Sequence, residues 1–174
     1  MKLFIDSSQS RFIAALIENN KVIFASNIET KYKVEEIIKF FENVPNLHNI
    51  DNIYINLGPG SFTGARIALL YVRTLAQLNN KIKIYTTNTY SLLSSLNKKF
   101  FQRKFFIFAT KNKSYLLTNK SVKIVNKHAK ESQINYDLLL SNFDKFLNTF
   151  TLSSTENLQP TYASQPQIGE IKKQ

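Results

Sequence analysis

The sequence predicts a mixed α/β fold in two lobes, the second of them reduced, and three observations carry that expectation. Residues 2–6, 11–18 and 21–28 read as three strands separated by turn-forming residues. From residue 34 the apolar period lengthens to that of a helix, and strand-like and helix-like segments then alternate to residue 99. From residue 100 a weaker group follows, three strand-like runs and one helix-like run. The expected organisation is a first lobe at 1–99, a second lobe at 100–150 and a loosely ordered tail at 151–174, where the chain turns polar. No internal repeat is visible.

Each element has a local reason. Asp6-Ser7-Ser8-Gln9-Ser10 can form Asx and Ser turns, and Asn19-Asn20 is a good two-residue hairpin connection because Asn tolerates positive φ. Val34, Ile37, Ile38, Phe41 and Val44 recur at helical spacing with Glu35, Glu36, Lys39 and Glu42 largely opposite, Phe40 widens that face, and Pro45-Asn46 stops the helix. A buried strand at 52–57 leads through a glycine loop into a helix at 61–79, and a strand at 82–86 follows. Thr89 is the expected N-cap of a helix to residue 99 with Leu92, Leu93 and Leu96 turned inward. Strands are expected at 104–109, 114–118 and 121–125, then a helix at 136–150.

The loop Gly58-Pro59-Gly60-Ser61-Phe62-Thr63-Gly64 holds three of the four glycines and runs into Ala65-Arg66. Glycine belongs where φ is positive or where another group comes too close for a Cβ. Ser61 suits the N-cap, which would point the free N–H groups of the first turn back into the loop. Two readings fit: a phosphate cradle at a helix N-terminus, or a tight strand-to-helix corner. Neither the Lys-Ser/Thr of a P-loop nor a GxGxxG spacing is present.

The following helix is apolar over more than half its circumference. Ile67, Ala68, Tyr71, Leu75 and Leu78 form one face, Ala65, Leu69, Val72 and Ala76 an adjacent one, and only Arg66, Arg73 and Gln77 mark a polar strip. A helix lying on one sheet needs an apolar arc of little more than about 100°. A second neighbour is therefore expected, either another part of this chain or another protein.

Composition narrows the chemistry. The chain has 174 residues, 43% of them hydrophobic, and no cysteine, so it lacks a disulfide framework and thiolate metal sites. No apolar run reaches the roughly 18 residues of a membrane span, and the expected location is the cytoplasm. The net charge of +11 suits an acidic partner such as RNA. AT-rich coding explains the same bias, because 19 of the 23 basic residues are lysine, scattered apart from Lys98-Lys99, Arg103-Lys104, and Lys111 with Lys113. Only His48 and His128 are available as imidazoles, neither in an HExxH or HxxxH spacing, and no GxSxG elbow exists, so no metal site and no serine triad are expected. Asp6, with Ser7 and Ser8, either faces a nucleotide at the end of the first strand or holds a turn through backbone bonds. The second lobe has no glycine before Gly169 with which to build a second phosphate loop.

Gly58 to Gly64 followed by Arg66-Ile67 resembles the signature of the TsaB (YeaZ) family of tRNA threonylcarbamoyladenosine biosynthesis proteins. Leu3-Phe4-Ile5-Asp6-Ser7-Ser8 is similar to that family's opening strand and turn, and the likeness extends over about residues 1–97. Beyond it Ala109-Thr110-Lys111, Lys113-Ser114-Tyr115 and Pro160-Thr161-Tyr162-Ala163-Ser164 depart from the family pattern. The element order is similar to the repeating lobe of the actin-like ATPase superfamily. The resemblance implies a non-catalytic subunit, without a metal or cofactor of its own, that pairs with a TsaD-type catalytic subunit and is joined by a TsaE-type ATPase, with ATP or ADP at the interface and tRNA held by the whole. The face implied for docking is Val34, Ile37, Phe41, Leu69, Val72, Arg73 and Ala76, with homodimers an alternative for the isolated chain. Two other functions fit the residues: an ATP-binding phosphotransferase using Asp6 and the loop at 58–64, or a basic RNA-binding module.

Overall fold

The computed structural model describes residues 1–97 and 104–161. The helix expected to run to 99 ends at Leu96 with Asn97 as its C-cap, and Lys98, Lys99 and Arg103, with the tail from 162, lie outside the described residues. Strands β1 (Lys2–Asp6), β2 (Arg11–Glu18) and β3 (Lys21–Glu29) form an antiparallel meander. Asn19 and Asn20 turn between β2 and β3 with φ of 48° and 64°, as the Asn pair predicted. Helix α1 (Lys33–Asn43), β4 (Asn52–Asn56), α2 (Phe62–Leu78), β5 (Lys83–Thr87) and α3 (Thr89–Leu96) follow. β4 lies parallel to β1, and β5 parallel to β4.

The six-stranded sheet has the order β3-β2-β1-β4-β5-β9, with β9 at Thr151–Ser153, and its central strands are covered on both faces. That is why β1, β2 and β4 read as continuous apolar runs. Leu3, Ile5, Phe12, Ala14, Leu16, Ile53 and Ile55 pack on one face under α1 and α2. Phe4, Ile13, Ala15, Ile17 and Tyr54 pack on the other against α3 and the second half of the chain. There β6 (Phe105–Thr110), β7 (Lys113–Leu117) and β8 (Val122–Asn126) form an antiparallel three-stranded sheet, with Phe105, Ile107 and Leu117 turned into the shared core.

Three expectations are corrected. The helix expected at 136–150 is α4 (Tyr136–Ser141) followed by a 3-10 helix at Phe143–Thr149. The 3-10 period of three brings Phe143 and Phe146 onto one side, and Phe4 meets Phe143 and Phe150 at centroid distances of 5.6 and 6.2 Å. Helix α3 is capped by Asn88, whose Oδ1 accepts from Ser91 N at 2.9 Å, and Thr89 is its first residue. Finally, residues 151–161 belong to the fold. β9 (Thr151–Ser153) pairs antiparallel with β5, and Leu158 is buried in the core beside α2.

Candidate functional site

The parallel strands β1, β4 and β5 all end on the same side of the sheet, where α/β folds place their sites. The glycine loop begins there. Gly58 has φ +91°, a conformation L side chains rarely adopt. Ser61 caps α2, its Oγ accepting from Gly64 N at 3.3 Å, and its own N–H donates to the Ser8 carbonyl. A Cβ on Gly60 would stand 1.9 Å from the Ser8 carbonyl oxygen, and one on Gly64 would stand 1.8 Å from that of Ser7. These two glycines therefore let the loop lie directly on the turn after β1, which is the tight-corner reading. Pro59 accepts from the Thr89 hydroxyl at 2.8 Å, and the Gly58 carbonyl accepts from Thr89 N at 2.8 Å, so α3 is tied to the same loop.

Beneath the loop, Asp6, Ser7, Ser8 and Asn56 are fully buried. Asp6 Oδ1 accepts from Ser8 N at 2.8 Å, while Oδ2 accepts from Asn56 Nδ2 and from the Tyr136 hydroxyl, each at 2.8 Å. Asn56 Oδ1 accepts from Gly58 N at 3.0 Å, and its amide also reaches Ser8 Oγ and Thr89 Oγ1. A buried carboxylate is costly unless it is hydrogen-bonded, and this one is held by three donors. Tyr136 comes from the second half of the chain and closes over Asp6. Burial, then the charge of Asp6 and its hydrogen bond, push the Tyr136 hydroxyl well above its ordinary value. The carboxylate thus has the turn-holding geometry and presents no open oxygen to a nucleotide.

Beside this knot lies a cleft of about 920 Å³, walled by the loop after β1, the start of α1, the first turn of α2, and Phe108, Ala109 and Tyr115 of the second sheet. Ser61, Thr63 and Gly64 line it. Lys33, the first residue of α1, stands in its wall with its ammonium donating to the carbonyls of Gln9 and Arg11 at 2.6 and 2.7 Å. Desolvation lowers its pKa to about 8, against an opposing pull from Asp6. Gln9 Nε2 is buried at the cleft without a hydrogen-bond partner among the described residues. Neither Lys33 nor Gln9 carried a signal in the sequence, since each depends on a loop packed from elsewhere. Arg66 is exposed on α2, away from the sheet.

The expected docking residues separate. Ile37, Leu69, Val72 and Ala76 are sealed in the chain's own core, against the sheet, α1 and Leu158. Arg73 donates to the Leu158 carbonyl and clamps the C-terminal segment onto α2. The chain therefore supplies part of the second neighbour that α2 requires. Of the expected apolar docking residues Val34 stays exposed and Phe41 half-buried, and the other exposed apolar side chains are neighbours that were not named for docking. Val34 and Ile38 of α1 are 43% and 39% exposed, and Leu70 and Leu78 of α2 are 63% and 80% exposed. Phe41 stacks on Tyr71 between them, with centroids 5.2 Å apart and planes 2° from parallel. Periodicity had placed Ile38 on the apolar face of α1 and Tyr71 and Leu78 on that of α2, whereas Leu70 was missed.

Among the described residues no three His, Asp or Glu side chains come together as a metal site, and no helix is long and apolar enough to cross a membrane. His48 is exposed, and His128 is exposed but stacked on Phe106. No family model matches the sequence, and no curated protein matches it. The fold, by contrast, is found among solved structures. It is similar to an uncharacterized protein from Pseudomonas aeruginosa with similarity to peptidase YeaZ, at 15% identity and a TM-score of 0.64, over 94% of this chain and 99% of that one. It is similar also to YeaZ from Pseudomonas aeruginosa, at 14% identity and a TM-score of 0.64, over 92% and 98% of the two chains. The chain therefore has a YeaZ-like fold along nearly its whole length.

Proposed function

We propose that this chain is a non-catalytic scaffold subunit of the assembly that installs threonylcarbamoyl on the adenosine adjacent to the tRNA anticodon. It docks through α1 and α2 on a TsaD-type catalytic subunit. The glycine-loop signature and the YeaZ-like fold support the family reading, and with it the two-lobed actin-like architecture. The observation that carries the reading is the set of apolar side chains Val34, Ile38, Leu70 and Leu78, on the two helices that the Phe41–Tyr71 stack joins, which the chain itself leaves exposed. Burying several such side chains at about 1.5 to 3 kcal/mol each offsets the cost of association. The same side chains serve a homodimer when the partner is absent.

In this reading Asp6 is a structural clamp, which disfavours the phosphotransferase alternative. An interfacial ATP or ADP, with a TsaE-type ATPase beside it, would use the cleft, where Gln9 Nε2 and the first turn of α2 offer donors. Tagged full chain should capture the TsaD-type subunit from its own cell extract. Nucleosides of tRNA from a depleted strain should lose threonylcarbamoyladenosine and regain it when the chain is restored. Unchanged tRNA nucleosides after depletion would reject the proposal.

A further inference from the structure

Charge is unevenly spread along this chain. Residues 1–97 carry seven lysines and three arginines, balanced in large part by seven carboxylates. Residues 104–131 carry seven lysines against Glu131 alone, and all seven are exposed. A coding bias toward lysine acts on the entire chain. It gives no reason for one stretch to gather lysines while losing its acids.

The stretch folds into one object, β6–β8 and the segment 127–132 that returns along the sheet. Lys127 N donates to the Asn112 carbonyl at 3.1 Å, His128 N to Ser114 Oγ at 3.0 Å, and Phe106 N to Ser132 Oγ at 3.3 Å. Side chains alternate across a strand. With Phe105, Ile107 and Leu117 in the core, Phe106, Phe108, Leu116 and Lys123 face outward. On that outer face the His128 ring lies flat on Phe106, with centroids 3.9 Å apart and planes at 9°. Phe108 is 54% exposed and stands where this face meets the wall of the cleft. Neighbouring strands lie about 4.8 Å apart, within one Debye length of about 8 to 10 Å at physiological salt, so lysines adjacent across the strands reinforce one another.

We propose that this outer face, with Lys123, Lys127, Lys130, the Phe106–His128 stack and Phe108, binds single-stranded nucleic acid. Phosphates pair with the lysines, and unpaired bases stack on the open rings. A duplex keeps its bases stacked inside and offers nothing to the rings, whereas a single strand presents a base beside every phosphate. The proposal deepens the reading above, for which RNA is the source that matters, but it does not depend on docking through α1 and α2.

The test uses the full chain and a fluorescein-labelled oligonucleotide of roughly 12 nucleotides, as RNA, as DNA of the same sequence, and as a duplex, read by fluorescence anisotropy over a salt series. The single strands should bind more tightly than the duplex. Combining Lys123→Ala, Lys127→Ala and Lys130→Ala should weaken single-strand binding about tenfold or more and flatten the log–log salt slope by about 2. Combining Lys21→Ala, Lys39→Ala and Lys81→Ala removes the same charge from the first half and should change affinity less than about twofold. His128→Ala and Phe108→Ala should each weaken binding about fivefold or more with the salt slope unchanged. RNA bound more tightly than DNA would identify RNA as the source, and equal binding would assign the surface to single strands of either kind. Equal losses from the two triple variants, duplex bound as tightly as single strand, indifference to both ring substitutions, or binding only of an acidic protein or of anionic lipid vesicles would overturn the proposal. Partner capture by the first triple variant should persist, so failure here and failure of the scaffold reading are separable.

Discussion

Replacing Tyr136 by Phe removes one hydroxyl and nothing else from a fully buried site. Asp6 Oδ2 then keeps only Asn56, and Oδ1 keeps Ser8 N. A hydrogen bond to a buried charged group contributes about 1.5 to 3 kcal/mol. In a chain of this length each kcal/mol moves Tm by about 2 to 4 °C, so Tyr136→Phe should lower Tm by about 3 to 12 °C at neutral pH, measured by circular dichroism. The pH dependence adds a signature that cavity formation would not. Tyr136 ionises near its ordinary value in the unfolded chain, but burial first, and then Asp6, hold it protonated in the fold. Above about pH 10 the unfolded state therefore binds fewer protons than the native state, and stability falls as pH rises. Tyr54, also raised chiefly by burial, contributes to that alkaline fall in both proteins. The share belonging to Tyr136 should vanish in Tyr136→Phe, so the stability gap narrows as pH climbs. A loss below about 0.5 kcal/mol with parallel alkaline limbs would refute the clamp.

Other consequences are open to the same assays. Gly60→Ala must push the loop off the Ser8 carbonyl and should cost about 1 to 3 kcal/mol in urea denaturation; a neutral result would mean that the corner has slack. Leu158→Ala should cost about 2 to 5 kcal/mol, because the segment after β9 is part of the core, and stability equal to the native chain would return it to the tail. Lys33, with its pKa lowered to about 8 by burial, binds less proton in the fold than in the unfolded chain between about pH 8 and its ordinary value near 10.4. Its contribution to stability therefore rises over that window. The native chain should gain on Lys33→Met as pH goes from 8 to 10, and a constant gap would contradict the burial argument.

The elements themselves were largely legible, because strands buried on both faces and helices of period 3.6 leave strong local patterns. The choice among adjacent apolar faces was not. On α2 Leu69 and Leu70 differ by about 100° of rotation, and Leu70 falls on the strip that Arg66, Arg73 and Gln77 mark as polar, so periodicity did not single it out. Leu69 is taken into a core formed by the sheet, α1 and Leu158, the last held by Arg73 across 85 residues. Of Ile37 and Ile38 on α1, the sheet takes one and leaves the other. Asp6 carried two readings in the sequence because its deciding partner, Tyr136, lies 130 residues away. The glycines pointed rightly to close approach, but what approaches is the backbone of Ser7 and Ser8. Lysine spacing hid the charged surface for a related reason: β6–β8 bring together groups that are scattered along the chain.

The account rests on the exposed apolar side chains of α1 and α2 as the docking face. The most direct measurement is capture of the TsaD-type subunit by Leu70→Asp, set beside its melting curve. Leu70 is 63% exposed, so the substitution should shift stability by no more than about 0.5 kcal/mol while abolishing capture and the tRNA modification. A native-like Leu70→Asp chain that still holds its partner at full yield would place the interface elsewhere.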